Sequence, residues 1–259
     1  MPVRDRDLLI SAARTAGEIA MGYFNADPQV WHKDEGAGPV TEADISVDTA
    51  LRHDLMEARP DYGWLSEETQ DTEARLSTEC QFIVDPIDGT RAFVAGAPDW
   101  AHSLAVVRGG VVTAAAVYLP VRDLMFAAVL GGGATLNGAP IAVSARSELT
   151  GADVLSPKGW FEPKFWRDGL PPDVTRSFRS SLAYRLCRVA EGRADAMITL
   201  RPSWEWDIAA GALIVTEAGG AATDRTGAAL RFNNPHPQVN GVVAGGGVQR
   251  GLLDRLARD

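Results

Sequence analysis

The stretch Val84-Asp85-Pro86-Ile87-Asp88-Gly89-Thr90 holds the densest chemistry in the chain and organises the reading of everything around it. The apolar run Gln81 to Val84 reads as a short strand that delivers Asp85 at its end, and Pro86 fixes the backbone so that the chain turns away from the sheet. Asp85 and Asp88 thus emerge close together. Gly89 and Thr90 then open a short helical stretch, Arg91 to Ala95, stopped by Gly96 and Pro98. A helix N-terminus offers unpaired N–H groups and partial positive charge, so carboxylates suited to a metal stand beside donors suited to a phosphate. An Asp-Pro, Asp-Gly connecting turn fits the same residues, so the stretch needs partners elsewhere.

Upstream, Leu9, Ala12, Ala16, Ile19 and Tyr23 recur at helical spacing, which predicts an amphipathic helix ending before Asp27 and Pro28. After the Gly-rich stretch Gly36 to Pro39, Thr41 and Asp44 form a capping pattern that starts a second helix with the stripe Val47, Leu51, Leu55 and Ala58. Asp44 lies at the head of that stripe, either as support for the first turn or as a carboxylate aimed inward. Trp64-Leu65-Ser66-Glu67-Glu68-Thr69 places paired acids after another short apolar segment, a solvated turn unless other acids need a partner.

Downstream, Ala101 to Val107, Val111 to Leu119 and Leu124 to Leu130 read as successive strands, with a hairpin turn at Asn137-Gly138. From about residue 145 the pattern alternates: helix at Ser181 to Glu191, strand at Ala194 to Leu200, helix at Trp204 to Ala218 capped by Ser203, strand at Val239 to Val243, and a terminal helix from about Val248. Asp207 lies in the first turn of its helix, at the edge of the apolar face; Glu205 fits better as an acid complementing the helix dipole. The longest irregular stretch, Ser156 to Arg179, is rich in aromatics that either pack on the core or line a mouth. The Gly131 to Gly133 and Gly245 to Gly247 runs lack nucleotide-loop spacing and read as turns.

Composition narrows the function classes. A net charge of -9 and a pI near 5.0 argue against a nucleic-acid polymer as partner. Two cysteines, Cys80 and Cys187, stand in no metal or disulfide pattern. No apolar run is long enough for a membrane span and the N-terminus has no secretory core, which predicts a cytoplasmic protein without a membrane partner. An Asp-Gly-Thr loop after a strand also occurs in haloacid dehalogenase-type phosphatases, but the place of their nucleophilic Asp is taken here by Pro86, which disfavours a phospho-aspartate.

Taken together the chain resembles the inositol monophosphatase family, the lithium-sensitive, magnesium-dependent phosphatases. The resemblance is carried, in order along nearly the whole chain, by Lys33 with Val40-Thr41-Glu42-Ala43-Asp44, Ser66-Glu67-Glu68-Thr69, Asp85-Pro86-Ile87-Asp88-Gly89-Thr90, and Trp206-Asp207-Ile208-Ala209 running into Thr216-Glu217-Ala218-Gly219-Gly220. It implies an α/β fold, an alternating αβαβα sandwich, with an N-terminal α+β half over residues 1–145, a C-terminal α/β half over residues 146–259, the site between them, and a homodimer. It implies two Mg2+ ions, one held by Glu67, Asp85 and the Ile87 carbonyl and one by Asp85, Asp88 and Asp207. Glu67 would also help place a weaker third ion, and Li+ would inhibit. Thr90 and Asp44 would orient a metal-activated water for in-line attack on a phosphomonoester. Gly89, Thr90, Arg91, Lys33 and Ser181 are the expected phosphate and substrate contacts. Four carboxylates in one cleft would in any case repel and take up protons unless cations neutralised them, and hard oxygen ligands suit magnesium.

The substrate is less determined. Inositol-specific members of the family place an acid where this chain has Leu200, whereas Arg91, Ser180-Ser181 and Val189-Ala190-Glu191-Gly192 look more like the 3'(2'),5'-bisphosphate nucleotidase branch. Inositol-1-monophosphatase and histidinol-phosphate phosphatase are the alternatives, and a non-catalytic ion- or ligand-binding protein on the same fold is the alternative of another class.

Overall fold

The computed structural model describes residues 2–26, 28–32 and 38–257. Lys33 lies outside the described residues.

The chain opens with α1 (Pro2–Tyr23), then a small antiparallel pair, β1 (Val30–His32) and β2 (Pro39–Thr41), then α2 (Glu42–Ala58). Thr41 closes a capping box with Asp44, as the local pattern requires: the Thr41 side chain accepts from the Asp44 N–H and the Asp44 carboxylate accepts from the Thr41 N–H. Val47, Leu51 and Leu55 are buried, but Ala58 is exposed, because the helix ends there and its last turn has left the sheet.

A seven-stranded sheet follows: β3 (Gly63–Ser66), β4 (Cys80–Asp88), β5 (Ala101–Arg108), β6 (Val111–Leu119), β7 (Leu124–Val129), β8 (Ala134–Leu136) and β9 (Ala139–Pro140), in that spatial order. Only β3 and β4 pair in parallel. Between β4 and β5 runs the one-turn helix α3 (Thr90–Val94). β5 and β6 are buried on both faces over most of their length, and accordingly residues 104–107 and 114–117 are continuous apolar runs without polar alternation. One correction matters for the site: β4 does not stop at Asp85. The ladder to β5 shifts register between Asp85 and Asp88 and resumes at the Asp88–Ala101 pair, so Pro86 sits in a bulge that needs no ladder N–H rather than at a strand end.

The second half contains β10 (Asp153–Leu155), β11 (Thr175–Ser177), α4 (Leu182–Ala190), β12 (Ala196–Thr199), β13 (Ser203–Trp204), α5 (Glu205–Glu217), β14 (Ala221–Thr223), β15 (Gln238–Val239), β16 (Val242–Gly245) and α6 (Gln249–Arg255). Its five-stranded sheet runs β11-β10-β12-β16-β14, and β13 pairs separately with β15. The strand expected over Val239 to Val243 is split into β15 and β16 at Gly241, whose φ of 69° takes the backbone out of strand geometry. Helix α5 is capped not by Ser203 but by the backbone of Trp204, because Ser203 belongs to β13 and its hydroxyl donates to the Arg201 carbonyl.

Three apolar cores stack the layers. One joins α1 and α2 to the large sheet; the second holds α4 and α5 between the sheets; the third lies on the outer face of the small sheet under α6 and the 156–179 segment. The order is helix, sheet, helix, sheet, helix, the αβαβα sandwich expected. Close helix contact in the central layer depends on Gly211: a methyl there would come within 2.6 Å of Leu186. The 156–179 segment is less irregular than its sequence suggests, containing β11 and three 3-10 turns. Its aromatics divide: Trp166 is buried in the outer core, while Trp160, Phe165 and Phe178 reach a cleft between the halves. Among the described residues no helix is long and apolar enough to cross a membrane.

Candidate active site

The cleft, about 950 Å³, opens where the β4 bulge, the turn after β3, the start of α5 and the end of β12 meet. Glu67 follows β3, its N–H bonded to the Val84 carbonyl, so parallel pairing of β3 and β4 brings it beside Asp85. Asp207, in the first turn of α5, completes a group in which one oxygen from each of Glu67, Asp85 and Asp207 lies within 4.8 Å of the others. Distances in sequence are large; the layer packing closes them.

Asp85 is 1% exposed, and its Oδ1 has no hydrogen-bond partner among the described residues. A buried unpaired carboxylate oxygen is costly unless a cation takes it. Burial, then the charges of Glu67, Asp88, Asp207 and Asp44, push the Asp85 carboxyl well above its usual range; burial, then Asp88 and Glu67, do the same to Asp207. All donors present are oxygens, which fits a hard divalent cation.

Asp88 lies beside this group rather than within the closest cluster. Its Oδ2 accepts from Ser181 Oγ at 2.5 Å and from the Ala183 N–H at 2.6 Å, while burial lifts its pKa to about 6. Ser181, expected to touch substrate, is instead fully buried: its hydroxyl caps α4 through the Tyr184 N–H and donates to Asp88, so it is consumed in holding a carboxylate. Asp44 is also buried. It accepts from the Thr41 N–H and hydroxyl at 2.8 and 2.6 Å, and the Thr90 hydroxyl proton is within reach of both Asp44 Oδ1 (3.2 Å) and the Ile87 carbonyl (3.1 Å). Burial, reinforced by Glu67, raises Asp44 to about 6.

Gly89, at φ 98°, turns the chain into α3, and Gly89, Thr90 and Arg91 all line the cleft. Two further contributors fall outside the expected site residues. Asp48 on α2 accepts from Ser66 Oγ and Thr69 Oγ, both at 2.5 Å, and so holds the turn that bears Glu67. The periodicity of α2 gives a clue, since Asp48 follows Val47 on the buried side. His102 on β5 binds the Pro86 carbonyl from behind the bulge; nothing in a β-rich run marks it out.

A sandwich of this order, with acidic side chains gathered where strand and helix ends meet, is the build of the metal-dependent sugar and inositol phosphatases. The fold matches the IMPase of Thermotoga maritima with a TM-score of 0.82 at 28% identity, covering 96% of this chain and 94% of that one. It matches the extragenic suppressor protein suhB of Bartonella henselae with a TM-score of 0.81 at 30% identity, covering 96% of each. Residues 4–259 match the inositol monophosphatase family model. Inositol monophosphatase 2 of Solanum lycopersicum is 36% identical over 232 residues, 85% of this chain and 87% of the relative. The chain therefore belongs to the inositol monophosphatase family, and as a member it is a phosphoric monoester hydrolase.

Proposed function

We propose that the chain hydrolyses a small phosphorylated metabolite with Mg2+, and that the observation carrying this is the Glu67, Asp85 and Asp207 cluster with its unpartnered Asp85 Oδ1. Glu67, Asp85 and the Ile87 carbonyl would hold one ion, Asp85, Asp88 and Asp207 a second, and Glu67 would help with a third. When bound, the ions supply a water of lowered pKa and stabilise the leaving oxygen. Asp44 Oδ1 and the Thr90 hydroxyl orient the attacking water, and a carboxylate with a pKa of about 6 is mostly ionised at neutral pH and able to take its proton. Gly89, Thr90 and Arg91 hold the phosphate oxygens; Lys33 is a further candidate. Li+ inhibits by competing for the same carboxylates.

The reading of the substrate that we favour is a 3'(2'),5'-bisphosphate nucleotide. Leu200, which stands where inositol-specific members carry an acid, is 4% exposed and packs into the outer core, so it offers ring hydroxyls no acceptor. Trp204, 37% exposed and stacked on Trp206 with ring centroids 4.7 Å apart, gives the mouth a flat aromatic face suited to a base. The tomato relative, an inositol monophosphatase, favours an inositol monophosphate as the second reading. The chain acts as a cytoplasmic homodimer, with residues 1–145 and 146–259 as its halves. A phosphate-release panel of adenosine 3',5'-bisphosphate, inositol 1-phosphate and histidinol phosphate, with Mg2+ and with or without Li+, tests this. Magnesium-independent release, or release that survives Asp85→Asn, overturns the mechanism; preference for the inositol ester overturns the substrate.

A further inference from the structure

The cleft that gathers the carboxylates also holds guanidinium groups without an ion-pair partner. Arg185 on α4 is 7% exposed, yet its bonds go to neutral groups: Nε donates to the Arg179 carbonyl at 2.5 Å, one Nη to the Ser180 carbonyl at 3.2 Å, and the guanidinium lies 4.4 Å over the Phe178 ring. No carboxylate among the described residues lies within ion-pair distance of it. Burial lowers its pKa only to about 10, so it stays charged at neutral pH. Arg201, in the connection between β12 and β13, is exposed to the cleft; its carbonyl accepts from the Ser203 hydroxyl, but its guanidinium makes no hydrogen bond or ion pair with any described residue.

The two cations feel each other. Both arginines line the cleft together with Asp88 and Asp207, and there the charge of Arg201 opposes that of Arg185 and acts favourably on Asp207. A buried cation is retained at a cost unless an anion offsets it. Asp88 and Asp207 attract Arg185 from a distance, but once they are committed to divalent ions that attraction is largely cancelled. The arginines are then left facing an open cleft, with planar forks whose geometry matches phosphate oxygens.

We propose that Arg185 and Arg201 form a subsite for a second phosphate of the substrate, distinct from the phosphate that is cleaved. The proposal rests on the phosphatase reading above and names its substrate class: phosphomonoesters that carry a further phosphate. The same pair repels an ester whose other end is an ammonium group. It also offers a polyol ring donors without acceptors. Arg201 is the specificity-determining member, because it is free to turn toward ligand, whereas Arg185 is fixed by its carbonyls and Phe178.

The test uses three esters with Mg2+ in steady state: two nucleotides that differ only in the second group, adenosine 3',5'-bisphosphate and adenosine 3'-monophosphate, and inositol 1-phosphate. The wild-type enzyme is expected to favour the bisphosphate by roughly tenfold or more in kcat/KM, the size of one charge-assisted contact pair. Arg201→Gln should collapse that ratio toward one, mainly through KM, and Arg201→Lys should keep part of it. A wild-type ratio near one overturns the subsite. So does an equal loss on both esters in Arg201→Gln, which would put Arg201 on the cleaved phosphate. Activity confined to inositol 1-phosphate also overturns the subsite while leaving the phosphatase reading intact. Inactivity of the folded enzyme on all three esters overturns both.

Discussion

His102 Nδ1 lies 2.5 Å from the carbonyl oxygen of Pro86, and since a carbonyl only accepts, the imidazole is the donor. The ring is fully buried and burial pushes its pKa down to about 4, so it is the neutral Nδ1–H form that holds the bulge. Pro86 lies between Asp85 and Ile87, which makes His102 the support for two of the expected ligands. Its neighbour Ser103, facing the other side of the sheet, donates to the Trp206 carbonyl at 2.9 Å, the residue before Asp207. Strand β5 thus supplies no ligand but ties together the two segments that do.

His102→Leu removes the donor to Pro86, while His102→Asn keeps one, because asparagine Nδ2 occupies nearly the place of histidine Nδ1. The leucine variant should lose roughly 10- to 100-fold in Mg2+ affinity, the usual cost of removing a group that orients a ligand. Its unfolding free energy should fall by about 1–3 kcal/mol from the unpaired carbonyl. The asparagine variant should recover most of the affinity. Isothermal titration with Mg2+ separates the two: equal affinity in wild type and His102→Leu would reduce His102 to a packing residue.

The raised carboxylates make the effect of metal depend on pH. Asp44 and Asp88 stand at about 6, and Asp85 and Asp207 are shifted in the same direction, all above the ordinary carboxylate value of 3.8. A carboxyl whose folded pKa is raised favours the folded state fully below its unfolded pKa, and that contribution is lost as pH rises through the folded pKa. From about pH 4 up through 6 for Asp44 and Asp88, and further up for Asp85 and Asp207, the metal-free protein therefore loses stability from these groups, while a cation that needs them ionised binds better. The rise in Tm on adding saturating Mg2+ should be larger near pH 8 than near pH 5. His102 titrates in both states of loading and drops out of that difference. Asp88→Asn should flatten the trend; a Tm rise that is independent of pH in the wild type would refute the coupling.

What the sequence made legible was local. The capping box at Thr41 and Asp44, the hairpin at Asn137-Gly138 and the Ser181 start of α4 each depend on residues a few positions apart, and each formed as read. Roles that depend on distant partners were not legible. Ser181 looks like a substrate contact until Asp88, on β4, is seen to accept its hydrogen bond. The β4 strand looks finished at Asp85 because the ladder that resumes at Asp88 belongs to β5. Leu200 and Arg201 are neighbours in sequence, and only the direction of β12 sends the first into the outer core and the second into the cleft.

Ser181→Ala should act in two places at once. Loss of the cap to the Tyr184 N–H costs about 1 kcal/mol of stability. Loss of the donor to Asp88 leaves a buried carboxylate with one fewer bond, roughly 1.5–3 kcal/mol when it is ionised. Urea unfolding of the metal-free protein near neutral pH should show the sum, and near pH 5, where Asp88 is mostly protonated, more nearly the cap alone. Equal destabilisation at both pH values would mean that the Asp88 contact contributes nothing.

Glu205 decides between two roles of very different size. As an acid complementing the α5 dipole it would contribute about 0.3–1 kcal/mol and fade with salt. In the structure it is 0% exposed and accepts from the Asn233 N–H at 2.6 Å, the Asn234 N–H at 2.9 Å and Asn234 Nδ2 at 2.7 Å. The loop it grips is held from the other half of the molecule by Arg75, which donates to Asn233 Oδ1 at 2.6 Å and the Asn234 carbonyl at 3.0 Å. Glu205→Ala would strand three donors, while Arg75 keeps its bidentate pair with Asp71, so a loss of roughly 3–5 kcal/mol from the stranded groups is expected, largely insensitive to salt. Glu205→Gln keeps the volume but turns one amide N–H toward those donors, an intermediate loss. Guanidinium chloride denatures through charge as well as solvation, so the measurement is urea unfolding at low and high sodium chloride. A loss under about 1 kcal/mol that vanishes in salt would return Glu205 to the dipole role, whereas the larger, salt-resistant loss makes it the clamp that sets the start of α5 and, two residues on, Asp207.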